Sequence, residues 1–92
     1  MKITVTFVGL LRQQVRTACV EVDLSDGADL QELLDYIDRQ FGPGMGPRIW
    51  DRDRRMFRTG VRIAGDDRYL ESPDTLLRDG EQISIMPAMA GG

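Results

Sequence analysis

The sequence predicts an α+β domain in which one main helix packs on one face of a four- to five-stranded mixed sheet. Three observations carry this. Apolar and polar residues alternate with period two near both ends of the chain, at Ile3, Val5 and Phe7 and again at Ile83 and Ile85, as in strands with one buried face. Between them a single stretch, Leu30 to Phe41, spaces its apolar residues as a helix does. The chain has 92 residues, 41% hydrophobic and 29% charged, which is enough for one core and too apolar for a disordered chain. The expected division is one domain over residues 1–87 and a flexible glycine tail over residues 88–92.

In chain order, Lys2, Thr4 and Thr6 take the wet side of the first strand. Gly9 breaks the run, and Leu10 to Gln14 reads as a connection with its two leucines tucked beneath it. Ala18, Val20, Val22 and Leu24 alternate with Thr17, Cys19, Glu21 and Asp23, a second strand in hairpin range of the first, so Cys19 points to the polar face. Its acidic neighbours disfavour a reactive thiolate, and no role is assigned to it.

Ser25 to Ala28 is a turn, and Asp29 with Glu32 three residues on forms a capping box. Leu30, Leu33, Leu34, Ile37 and Phe41 then form one apolar stripe, with Asp35 and Asp38 on the opposite, wet face. Gly42 is placed as a left-handed helix cap with Pro43 beyond it. Two prolines and two glycines keep residues 43–47 irregular. Ile49 and Trp50 are expected as satellite core, and Asp51 to Arg55 as a charged turn. A third strand lies within Met56 to Ala64, a turn follows at Gly65, Tyr69 and Leu70 pair briefly, and Asp79-Gly80 is a tight turn into the last strand, Gln82 to Met86. The first and last strands are placed side by side in the middle of the sheet, in parallel.

Net charge is −3, which disfavours nucleic acid as the main partner, since a phosphate backbone calls for excess basic charge. The longest apolar run is far too short to span a bilayer, and the start of the chain does not look like a secretory signal, so a cytoplasmic protein without membrane contact is expected. One cysteine and no histidine leave no internal disulfide and no cysteine or histidine metal cage. Charge is nevertheless uneven. Residues 43–64 carry six arginines, and the stretch from Arg48 to Arg62 is read as a solvated loop in preference to a phosphate grip.

The chain closes on Met86-Pro87-Ala88-Met89-Ala90-Gly91-Gly92. Pro87 lacks an amide hydrogen and should end the last strand's pairing. Two glycines without β-carbons can thread a channel too narrow for other residues, bringing the Gly92 carboxylate to a partner's active site. The chemistry open to such a terminus is carboxylate activation: adenylation, then attack by sulfide or a thiolate.

Hairpin, capped helix, irregular stretch, short strands and a last strand feeding a tail resemble the β-grasp layout of ubiquitin. Val5-Thr6-Phe7-Val8-Gly9-Leu10-Leu11-Arg12 resembles the opening of the MoaD and ThiS sulfur-carrier family. Leu76 to Gly92 is similar to that family's closing segment, in which an Asp-Gly-Asp/Glu turn precedes an apolar strand, a proline and Ala-Gly-Gly. One departure is Ala64-Gly65-Asp66-Asp67 where the family often has an Asn-Gly turn, with Gly65 expected to supply the unusual backbone angles.

The resemblance implies a β-grasp protein that is not itself an enzyme, has no catalytic residue and binds no cofactor or metal. Gly92 would be adenylated by a ubiquitin-activating-type enzyme that uses ATP, and converted to a thiocarboxylate. Gly91 and Ala90 would thread, and Met86 and Met89 would touch the partner. The sulfur acceptor would be a molybdopterin synthase large subunit, with this chain as the small one, or an enzyme such as a cysteine synthase in cysteine biosynthesis. Two further classes use or ignore the same tail: a ubiquitin-like modifier joined to lysines through Gly92, and a plain interaction domain.

Overall fold

A computed structural model describes residues 1–58 and 60–88. Four strands form the main sheet in the order β2-β1-β6-β5: β1 is Lys2–Phe7, β2 Cys19–Asp23, β5 Val61–Ala64 and β6 Gln82–Pro87. β1 and β6 are central and parallel, and both flanking pairs are antiparallel. This is the expected placement of the first and last strands. Ile3, Val5, Phe7, Val22, Ile83 and Ile85 point to the same face and are buried.

The helix α2, Leu30–Phe41, covers that face with Leu30, Leu33, Leu34 and Ile37. Its start is capped by the Asp29 carboxylate, which accepts the Glu32 amide at 3.0 Å, the N-cap half of the expected capping box; among the described residues the Asp29 amide makes no return bond to the Glu32 carboxylate. Phe41, at the end of the stripe, meets Phe7 edge-on with ring centroids 5.4 Å apart.

Several local expectations change. The connection after β1 is a helix, α1, Leu10–Val15, entered through Gly9 at φ 66 and left through Arg16 at φ 59. Leu11 and Val15 lie four residues apart on one face and are buried, and the intervening Arg12, Gln13 and Gln14 favour helix. Leu10 therefore falls on the outer side, 67% exposed, and is not tucked beneath.

Gly42 is right-handed, at φ −51, and leads α2 directly into a 3-10 turn over Gly42–Gly44. Its lack of a β-carbon serves space instead: one would lie 2.9 Å from Asp38 Oδ1 and 3.4 Å from Trp50 Nε1. Asp38 itself is not on a wet face. Its carboxylate accepts the Trp50 indole N–H at 2.7 Å and Arg52 Nε at 3.2 Å. The third strand divides in two, because β4, Met56–Phe57, turns back to pair with β3, Trp50–Asp51, in a separate two-stranded sheet. Trp50 is thereby drawn into the main core, with Phe57 edge-on to it at 4.7 Å.

Candidate functional site: the root of the C-terminal tail

The site is built from the turn that launches β6. Asp79 and Gly80 stitch it to the start of β1: Asp79 Oδ1 accepts the Lys2 amide at 2.9 Å, and Gly80, at φ 79, donates to the Lys2 carbonyl at 2.8 Å. Glu81 follows and is fully buried. Arg68 grips it with two bonds, Nε to Oε2 at 3.1 Å and Nη2 to Oε1 at 2.8 Å, and the Arg78 amide adds a third at 3.1 Å. Burial pushes the Glu81 carboxyl up, but the Arg68 hydrogen bonds, the Arg78 amide and the Arg68 charge together hold it below its ordinary value of 4.5.

The turn from Gly65 to Arg68 closes over this pair, Asp66 accepting the Gln82 amide at 3.1 Å and Asp67 the Arg78 guanidinium at 2.8 Å. Gly65 is not in the left-handed region, contrary to expectation. Glycine is required there because a β-carbon would collide with Glu81 Oε2. Sequence reading missed Glu81 altogether. Glutamate is seldom fully buried, and its partner Arg68 lies 13 residues away with no local pattern to join them.

At its far end β6 is released unevenly. The Thr4 amide bonds the Glu81 carbonyl at 3.1 Å and the Val8 amide bonds the Ile85 carbonyl at 2.9 Å. In a parallel ladder alternate residues supply both bonds to one neighbour, so the next donor toward β1 would be residue 87, and proline has none. Pairing toward β5 runs further than expected: Pro87 stands opposite Val61, and the Ala88 amide donates to the Gly60 carbonyl at 2.7 Å. The Pro87 ring sits beside Gly9, where a β-carbon would be 3.6 Å from it. Val8 and Leu10 flank that point and are exposed.

Among the expected site residues, Met86 is half-buried and opposite Arg62 in the β5 register. Met89, Ala90, Gly91 and Gly92 lie outside the described residues. The arginine-rich stretch is occupied internally. Arg52 pairs with Asp38 at 3.2 Å, Arg55 with Asp35 at 3.5 Å, and Arg54 and Arg58 with Asp51 at 3.9 and 3.7 Å. It folds back on α2 and on its own turn, and Arg62 lies 5.1 Å over the Tyr69 ring. Cys19 is exposed, as expected. No group of potential metal ligands and no helix long and apolar enough to cross a membrane occurs among the described residues.

The ThiS family matches residues 5–92, from the first strand through the glycine tail. The chain belongs to that family. It is also 27% identical to the molybdopterin synthase sulfur carrier subunit of Mycobacterium tuberculosis, over 100% of this chain and 99% of that one. Among solved structures, a putative molybdopterin converting factor subunit 1 from Pyrococcus furiosus is 26% identical with a TM-score of 0.73, covering 97% of this chain and 99% of that one. SAMP1 from Haloferax volcanii superposes with a TM-score of 0.80 over 100% of both chains at 15% identity, a likeness of fold. Membership of the ThiS family, whose members are ubiquitin-like sulfur carriers of β-grasp fold, agrees with the sheet order and single covering helix described above.

Proposed function

We propose that this chain is a sulfur carrier that acts as the small subunit of a molybdopterin synthase. The observation that carries the reading is its similarity along its whole length to the sulfur carrier subunit of Mycobacterium tuberculosis. Gly92 is the reacting residue. Its carboxylate attacks the α-phosphate of ATP held by a ubiquitin-activating-type enzyme, pyrophosphate leaves, and the resulting acyl adenylate is an electrophile that the free carboxylate is not. Sulfide, or a persulfide with a reductant, then displaces AMP and leaves a thiocarboxylate.

The β-grasp body contributes position. It fixes β6 through the Asp79-Gly80-Glu81 turn and the central pairing with β1, and holds the strand as far as Ala88. In the proposed complex Gly91 and Ala90 thread, and Met86 and Met89 lie against the partner. Beyond the Gly92 carboxylate, which is the nucleophile of the adenylation, the chain supplies no acid or base to the step, and ATP belongs to the activating enzyme. A synthase large subunit receives the sulfur.

The test is pyrophosphate exchange into ATP by the activating enzyme in the presence of this chain. Exchange is expected with the intact chain and none with a chain lacking Gly91 and Gly92. Equal exchange with both would remove Gly92 from the reaction. Sulfur delivered instead to a cysteine synthase, or a ladder of lysine conjugates, would redirect the product while leaving the activation chemistry in place.

A further inference from the structure

Among the described residues one edge of the main sheet, that of β2, is open over its whole length, and it lies on the side away from β5. Leu24 donates to the Met1 carbonyl and Phe7 to the Ala18 carbonyl, both at 2.9 Å. Antiparallel pairs alternate between bonded and non-bonded positions, so residues 18, 20, 22 and 24 of the β2 region spend their backbone groups on β1. The N–H and C=O groups of Cys19, Glu21 and Asp23 consequently point outward, and among the described residues none of them takes a hydrogen bond. That leaves three donors and three acceptors in a row on an edge strand, the template on which an extended segment adds.

The side chains along this edge restrict what can add there. Cys19, Glu21 and Asp23 project to the exposed face of the sheet, whereas Val20 and Leu24, on the core side, are only half-buried. Neither acid makes an ion pair among the described residues; Thr4 stands opposite Glu21, and Lys2 opposite Asp23. A second copy pairing antiparallel about Glu21 would set that carboxylate against its own image, and like charges directly opposite are destabilising. A strand with basic residues directly opposite Glu21 and Asp23 gains where the copy loses. Residues between them would face inward beside Val20 and Leu24 and should be apolar.

We infer that the β2 edge is a docking site for an extended segment of alternating basic and apolar residues, bound by strand addition. It is independent of Gly92 and of the sulfur chemistry.

The probe is a capped eight-residue peptide of alternating arginine and valine, titrated into the intact chain while amide hydrogen exchange and amide chemical shifts are followed. Two controls are used: a peptide of the same composition with arginines and valines in separate blocks, and an alternating glutamate-valine peptide. At saturation, exchange at Cys19, Glu21 and Asp23 is expected to slow about tenfold or more, with Val20 and Val22 little changed because they are already bonded to β1. E21K should weaken the arginine-valine peptide about tenfold and favour the glutamate-valine one. E21P, which removes one outward donor and no β1 bond, should weaken it without altering Tm greatly. Equal binding of the block peptide, protection away from these three amides, indifference to E21K, or no binding at millimolar peptide would each overturn the inference.

Discussion

Among the described residues Glu81 is the one fully buried charged side chain, and Arg68 is its ionic partner. A buried carboxylate with two guanidinium bonds is stable only while its partner stays, so Arg68→Ala should cost about 3–5 kcal/mol in chemical denaturation. The pH dependence follows from the direction of the shift. Glu81 and Asp38 are both held below their ordinary values, Glu81 against the push of its own burial and Asp38 chiefly by the Trp50 hydrogen bond. Groups shifted down stabilise the fold above the unfolded pKa and lose that contribution as pH falls through the folded one. Urea midpoints should therefore be level near neutrality and drop on acidification below the ordinary glutamate value of 4.5. In the Arg68→Ala chain the Glu81 share of that drop should shrink or reverse, because the hydrogen bonds and charge that hold its carboxyl down against burial are gone. Gly65→Ala is expected to destabilise by about 1–3 kcal/mol, because the new methyl displaces the same carboxylate. Loss of the glycine's backbone freedom would not produce that cost, since Gly65 does not sit at positive φ.

Among the elements, those legible in the sequence are those long enough to repeat. β1 and β6 show three and two turns of a period-two pattern, and α2 shows a capped stripe over three helical turns, so each is overdetermined. α1 has six residues and β3 and β4 two each, too short for any period to appear. Glycines 42 and 65 were legible as constraints, though not of which kind: a sequence shows that a β-carbon is missing, whereas only packing shows whether angle or space excluded it. Asp38 is the clearest case of tertiary override. Its helical position reads as solvent-facing, yet the β3–β4 hairpin folds over it and delivers Trp50. Asp38→Ala should leave the indole N–H without its partner and cost about 1–3 kcal/mol, read as a lowered urea midpoint with an unchanged slope. Phe7→Ala, which removes the edge contact with Phe41 from the centre of the sheet, should cost about 3–5 kcal/mol.

At the scale of the whole molecule, the two sides of the sheet divide the labour. The last strand is paired on both sides, by β1 and β5, and clamped below by Asp79, Gly80 and the Glu81–Arg68 pair, immediately before a segment that the proposed chemistry requires to leave the body. Pro87 ends pairing on one side and Ala88 holds on the other, so the described part of the strand ends on the Ala88 bond to the Gly60 carbonyl. Fold and family were both legible in advance because they rest on local patterns; the buried ion pair that supports the root was not, since it joins two loops through the interior. The basic stretch, expected as a solvated loop, is in large part neutralised within the chain, with Arg52, Arg54, Arg55 and Arg58 meeting Asp35, Asp38 and Asp51. The central claim concerns Gly92, and a mass spectrum of the peptide released after Arg78 tests it most directly, from chain incubated with ATP, a sulfide source and the activating enzyme. Fragmentation must locate the change, because oxidation of Met86 or Met89 nearly matches an oxygen-to-sulfur exchange. Sulfur placed on Gly92 is the expected result; an unaltered Gly92 under conditions where the enzyme consumes ATP would contradict the carrier reading.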